Sequence, residues 1–341
     1  MRRFGNHAPV NFVYLTDFDE AAARVASSID TFIAASPDNR FAFAGTRADL
    51  NMCALSYFYL REAGIENVEL SRAPRPGAIN VLHSEHLRRL GPQPDCFCVC
   101  VQGDYPARPF AQFHIVQNRD QLRGDSAVIW LWPHPGIVGR DAARGETFRR
   151  IGYLGQIERN LADEVAAWEA MLAPLGLDFV TRPASEWHDF SSLDAVIGIR
   201  EFSPKSFSDK PPSKLVNAWL AGVPFIGGAD SAFAQIGEAG IDHLRATSRQ
   251  CLIDSLVLLR DDTDLRAALV SAGRLRAREF TREALVNRWS EVIAGPIAER
   301  YDNWQKRPHS EAWRTKGLGV ADRGLELAKA AVRRLRRANA S

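Results

Sequence analysis

The 341-residue chain contains neither GxGxxG nor GxxxxGK[ST], which excludes the usual dinucleotide fingerprint and the P-loop as the way it would hold a phosphate. It also lacks net charge. Its 43 Lys and Arg against 41 Asp and Glu give +2, too little for a general nucleic-acid binder that works by neutralising phosphates. What basicity there is gathers at the end: residues 321–341 carry six basic and two acidic side chains, a net +4 that leaves −2 for the rest. No uninterrupted apolar run reaches membrane-spanning length, and MRRFGNHAPV at the N-terminus has no apolar segment behind its arginines, so a cytoplasmic location is expected. No repeat of solenoid period and no low-complexity tract occurs. The five cysteines are an odd number without metal-ligand spacing. Cys96, Cys98 and Cys100 read instead as a reduced, buried strand.

What is present is an alternation of short apolar runs and helical patterns, the signature of parallel α/β sheets. Strands are expected at 11–15, 41–45, 68–70, 79–83, 96–101, 113–116 and 128–132, with helices at 20–35 and 48–63. A segment rich in Pro, Gly and charge, PHPGIVGRDAARGETFRR, then interrupts the pattern, which restarts with strands at 151–154, 178–181, 195–199, 225–227 and 243–246. The length and this restart predict two domains.

One stretch constrains function more than any other: DKPPSKLVNAWLAGVPFIGG, residues 209–228. Pro211 and Pro212 suit a helix start, where their missing N–H groups are not needed, and Gly222 with Pro224 suits its end. Lys210 and Lys214 sit where the helix dipole is already positive, an arrangement that an anion such as phosphate would resolve. Arg200 and Glu201 end the strand AVIGIR just before this segment, placing their polar groups on the same edge. The GYLG turn at 152–155 lets backbone approach a ligand closely, and with Arg159 it forms a second wall for a phosphate. His83 ends the strand INVLH, where α/β proteins gather ligand contacts, and reads either as a substrate contact and proton shuttle or as a structural histidine. Asp17-Phe18-Asp19 follows the first strand. A metal-binding DxD is disfavoured there, because only one strand precedes it, and a solvated or substrate-contacting loop is the better reading.

The segment KPPSKLVNAWLAGVPFIGG, preceded by DAVIGIR and followed by SAFAQIG, resembles the C-terminal domain of GT-B glycosyltransferases, in particular the retaining group called glycosyl transferases group 1. The match is clearest over residues 151–289. The resemblance implies an α/β protein of two Rossmann-like domains facing a cleft, with a C-terminal helical tail. The N-terminal acceptor domain would span 1–135, a linker 136–150, the nucleotide-sugar donor domain 151–295 and a helical extension 296–341. It further implies a metal-independent glycosyltransferase, retaining favoured, that moves a sugar from a nucleotide-sugar donor to a glycan or lipid-linked glycan in surface polysaccharide biosynthesis. A sugar-nucleotide epimerase of the same fold and a catalytically silent glycan-binding scaffold are the alternatives.

In that family the segment holds the donor's diphosphate and sugar. The donor-binding positions here would be Gly155, Arg159, Arg200 and Lys210, together with Ser213, Lys214, Leu215 and Asn217. The catalytic positions would be Asp17, His83 and Asp209. The family's two glutamates, eight positions apart, fall on Asp209 and Asn217, and its Gly-rich loop is replaced by TDFDEAAAR, where Asp17 could contact the acceptor or act as base. The tail, 320–338, places Ala321, Leu325, Ala328, Val332 and Leu335 on one helical face beside Lys329, Arg333, Arg336 and Arg337, a pattern suited to an anionic membrane surface at the cytoplasmic face.

Overall fold

The computed structural model describes residues 8–44 and 47–338. Its backbone forms two parallel sheets. The first has six strands, β1 (Val10–Val13), β2 (Val68–Ser71), β3 (Ile79–His83), β4 (Phe97–Val101), β5 (Phe113–Val116) and β6 (Ser126–Val128), in the order β2-β1-β3-β4-β5-β6. The second has five, β7 (Arg150–Tyr153), β8 (Asp178–Thr181), β9 (Ala195–Gly198), β10 (Phe225–Gly227) and β11 (Leu244–Arg245), in the order β11-β10-β9-β7-β8. β1, β3, β4, β9 and β10 are buried at every residue, as strands covered by helices on both faces must be. In each sheet the strand order reverses next to its first strand, between β1 and β3 and between β7 and β9. Such switch points open a crevice at the carboxyl ends of the strands, where α/β proteins bind ligands.

The first half differs from expectation where local chemistry overrides pattern. The helix expected at 20–35 breaks into α1 (Glu20–Val25) and α2 (Ile29–Ala34), because the Ser28 hydroxyl caps a new start on the Thr31 N–H at 3.1 Å. The strand expected at 41–45 is instead helix α3 (Pro37–Phe43); Gly45 itself lies outside the described residues. Ser36 caps α3 on the Asp38 N–H, Pro37 occupies its first turn, and Phe43 packs edge-on to Phe18 and Phe32. A π-helical turn, Leu50–Ala54, precedes α4 (Leu55–Glu62), and α5 (Ser84–Leu90) follows β3 directly.

The second half holds α6 (Ile157–Asn160), α7 (Val165–Leu172), α8 (Ser213–Ala221), α9 (Ser231–Ile236), α10 (Arg249–Asp261) and α11 (Thr263–Ala277). The chain then crosses back. α12 (Arg282–Val292), the turn Ile293–Ile297 and α13 (Ala298–Gln305) send Trp289, Ile293, Ile297, Tyr301 and Trp304 into the core of the first sheet, so 282–295, expected within the donor domain, packs with the opposite half. The last helix, α14 (Pro308–Ala338), docks on the first half through a buried Arg108–Asp322 ion pair at 3.1 Å, a Thr315–Gln112 hydrogen bond at 3.0 Å and Gly319 against Pro92.

Candidate functional site

The two switch points face each other across a cleft of about 490 Å³. From the first half, Thr16 and Asp49 line it beside β1, and His83, His86 and Arg89 at the junction of β3 and α5, with Gly103–Tyr105 beyond β4. From the second half come Leu154 and Gly155 after β7, Arg200 after β9, and Lys210, Ser213, Lys214 and Asn217 at the start of α8. The halves touch at its rim: the Lys210 ammonium reaches the Asp104 carboxylate at 2.7 Å, and Asn118 donates to the Lys210 carbonyl at 3.0 Å and to the Ser231 hydroxyl at 2.9 Å.

Lys214 sets the character of the second wall. It has no hydrogen bond or ion pair among the described residues, and its ammonium lies 5.2 Å from the centre of the Tyr153 ring. Burial, with repulsion from Arg200 and Lys210 outweighing attraction to Asp230 and Asp104, pulls its pKa down to about 7. α8 begins at Pro212 without any side-chain cap, so the first N–H groups of the helix are also free of side-chain acceptors. Gly155 closes over this point. A Cβ there would stand 2.8 Å from Lys214 Cε and 3.0 Å from its Nζ, so any larger residue would displace the end of the lysine. An uncompensated cation, an uncapped helix N-terminus and a bare backbone turn together make a place for an anion.

Arg200 is already engaged, donating to Asp230 Oδ2 at 2.7 Å and to Asn160 Oδ1. Burial raises the Asp230 pKa, and its Oδ1 is buried without a partner. Asn217 lines the cleft with its Oδ1 accepting from the His134 N–H at 3.2 Å. His134, in the interdomain segment, lines the cleft too, its pKa drawn down to about 4 chiefly by burial.

His83, Gly155, Arg200, Lys210, Ser213, Lys214 and Asn217 thus converge, while three expected site residues do not. The Asp17 carboxylate is 91% exposed and pairs with Arg72 at 2.7 Å. Phe18 is the cause: its ring packs on Tyr14, Phe43 and Phe58, turning its neighbours outward, and Asp19 caps α1. Asp209 does not line the cleft, its half-exposed carboxylate standing 3.9 Å from Lys210 Nζ. Leu215 is wholly buried in the second core and does not line the cleft. Arg159 lies in α6, and its side chain falls outside the described residues. Asp49, His86 and Asp104 line the cleft without having been expected there. Asp49 accepts from the Leu15 and Thr16 N–H groups at 3.0 and 2.7 Å and from the Thr16 hydroxyl at 3.0 Å, fixing the turn after β1. Among the described residues no three His, Cys, Asp or Glu side chains converge to hold a metal.

A wider depression of about 700 Å³ lies at the other edge of the second sheet, lined by Arg266, Arg274 and Arg278. The buried carboxylate there, Asp194, is saturated by Arg140, Arg144 and the N–H groups of Arg149 and Arg150.

The pKa of Lys214 gives a pH test. A bound anion favours the ammonium form, so affinity for a sugar nucleotide, whose diphosphate has no proton to lose in this range, should fall as pH rises above about 7, by up to roughly tenfold per pH unit. Calorimetry in buffers of different ionisation enthalpy should show proton uptake at pH 8. Affinity that is flat from pH 6 to 9 contradicts a titrating Lys214 at the anion site.

No known family profile matches the sequence, and no curated protein matches it. Solved structures do. HepE from Anabaena, in complex with UDP and glucose, superposes with a TM-score of 0.51 over 85% of this chain and 100% of its own, at 13% identity. AviGT4, a glycosyltransferase involved in avilamycin A biosynthesis, gives 0.49 over 86% and 98%, at 14% identity. The HepE likeness shows the fold: two Rossmann-like halves facing a cleft, GT-B, with a helical C-terminal tail.

Proposed function

We propose that the protein is a glycosyltransferase that takes its sugar from a nucleotide-sugar donor, with the diphosphate at the start of α8. The observation that carries this reading is Lys214, a partly buried ammonium without a counter-ion among the described residues, at an uncapped helix N-terminus and roofed by Gly155. Breaking a glycosyl bond to a nucleoside diphosphate builds negative charge on the leaving phosphate. A fixed cation and helix N–H groups stabilise that charge as it forms, without requiring a metal. UDP bound to HepE, a protein of the same fold, supports the choice of ligand class. The acceptor, a glycan or lipid-linked glycan of surface polysaccharide synthesis, is assigned to the first half's wall, and His83 to substrate contact there. Retention of anomeric configuration is the favoured outcome, resting on sequence resemblance. A thermal-shift panel of UDP-, GDP-, ADP- and CMP-sugars tests the reading, since ligand that binds the native state raises the melting temperature by mass action. One nucleotide class should stabilise the protein, and no shift with any of them rejects the proposal. Asp209 lies outside the cleft and Asn217 is engaged by His134, which gives the silent glycan-binding scaffold its specific support. Release of nucleoside diphosphate during transfer separates the two.

The tail belongs to the same proposal. On α14, Trp313, Val320 and Leu327 recur every seven residues on one face and are 79%, 75% and 67% exposed. Leu325 and Val332, from the face expected in the sequence, and Ala321 and Ala328 are exposed as well, while the Leu335 side chain lies outside the described residues. Exposed Lys316 and Arg323 flank the stripe. No helix among the described residues is long and apolar enough to cross a membrane, but this face suits an anionic lipid surface, where the acceptor would be presented. Co-sedimentation with phosphatidylserine vesicles should be lost when Trp313 and Val320 are both changed to Ser. Equal binding of both forms removes the membrane reading and leaves the transferase untouched.

A further inference from the structure

His83 and His86 stand at the junction of β3 and α5, 5% and 2% exposed, and both line the cleft. Each has one ring nitrogen buried without a partner, Nε2 of His83 and Nδ1 of His86. Their other nitrogens are committed, and this fixes what the free ones carry. His83 Nδ1 accepts from the Glu85 N–H at 3.3 Å, so its proton sits on Nε2. The Val13 carbonyl raises the His86 pKa against burial, which favours a ring proton turned toward it, and Nδ1, which has no partner among the described residues, is then left with a lone pair. Burial lowers both pKa values against the attraction of Asp49, so both rings stay neutral at the pH where an ordinary histidine is half charged. One ring therefore offers the cleft a hydrogen-bond donor and its neighbour an acceptor. Gly103 and the Tyr105 ring stand against the donor nitrogen: a Cβ at Gly103 would lie 3.3 Å from His83 Nε2, and the Tyr105 ring centre is 4.9 Å from that of His83.

Buried polar atoms without partners are costly, and sites that retain them are completed by a ligand that supplies the missing bonds. A water molecule at rest and a sugar hydroxyl in the complex both have one hydrogen to give and lone pairs to accept with. Resting on the transferase reading above, we infer that His83 Nε2–H and His86 Nδ1 form a hydroxyl-recognition site on the wall opposite Lys214, taking one hydroxyl of either the donor sugar or the acceptor.

The test uses His86→Leu, which removes the acceptor, and His86→Asn, whose amide oxygen can take the place of Nδ1. Probes are the sugar nucleotide chosen by the thermal-shift panel, its free nucleoside diphosphate, and the slow hydrolysis of that donor, in which water stands in for the acceptor. If the hydroxyl is the donor's, His86→Leu weakens the sugar nucleotide about tenfold and leaves the free diphosphate unchanged. If it is the acceptor's, both affinities hold and donor hydrolysis falls about tenfold. In either case His86→Asn recovers most of the loss, which a purely structural role would not allow, and the melting temperature of each variant controls for folding. Unchanged values for all three probes, or equal weakening of sugar nucleotide and free diphosphate, overturn the pair. Wild-type protein that binds no sugar nucleotide overturns the transferase reading itself, and this inference with it.

Discussion

Replacing Lys214 with Met should lower kcat/KM for sugar transfer by about 10³-fold while leaving the melting temperature unchanged or higher. The two halves of that expectation have one cause. Burial has already drawn the Lys214 pKa down to about 7, and no carboxylate among the described residues pairs with the ammonium. In the free protein such a group is a cost, because its charge gives up water and gains little in return. Met fills nearly the same space beside Tyr153 and Gly155 and carries no charge to desolvate. In the transition state the balance reverses: the charge leaving with the nucleoside diphosphate meets a cation already in place. A residue kept for structure would show the opposite pairing, lower stability with activity retained in the folded fraction. Activity within threefold of wild type would remove Lys214 from the mechanism.

Asp194→Ala should have the largest effect on stability, roughly 3 kcal/mol, which corresponds to a fall in melting temperature on the order of 10 °C. The carboxylate is 1% exposed, and two guanidiniums and two backbone N–H groups converge on it, from Arg140 and Arg144 in the interdomain segment and from Arg149 and Arg150 at the start of β7. Burial alone would raise its pKa, but the Arg144 and Arg140 side chains and those N–H groups outweigh burial and hold it below the usual carboxylate value. Because the folded pKa is depressed, this stabilisation is fully present above the ordinary carboxylate range and is lost as pH falls through the lowered value. Asp194 precedes β9, at the edge of the sheet away from the cleft. Nucleotide affinity measured well below the melting temperature should therefore match wild type. Thermal unfolding followed by circular dichroism checks the first claim and calorimetry the second; a variant as stable as wild type contradicts the account of this linkage.

The start of α8 was legible in the sequence because its signals are local. Two prolines, a serine and a Gly222 stop fix the helix within one short stretch, and misplaced lysines mark the anion without reference to anything distant. The five strands of the second sheet were legible for the same reason, each being a short apolar run between turn residues. Phe41 and Phe43 misled because alternating apolar residues resemble a strand, whereas the Ser36 cap and the demand of Phe43 for the Phe18 and Phe32 rings decide for a helix. Asp17 misled in a related way: an acidic pair after a strand suggests a ligand, but the aromatic residue between them must turn inward and so turns them out. Asp49, His86 and Asp104 carried no local signal at all. Asp49 matters because it meets the Leu15–Thr16 turn, His86 because its ring feels the Val13 carbonyl, and Asp104 because Lys210 crosses the cleft to reach it. Each of these pairings joins residues that only the folded sheets bring together.

The central claim is the position of the phosphates. The nucleoside diphosphate selected by the thermal-shift panel, bound to the full chain and located in a crystal structure, tests it most directly. The account predicts both phosphates at the start of α8, one within hydrogen-bond distance of Lys214 Nζ and in contact with the Gly155 turn. Phosphates bound away from that point, for instance in the depression lined by Arg266, Arg274 and Arg278, would contradict it.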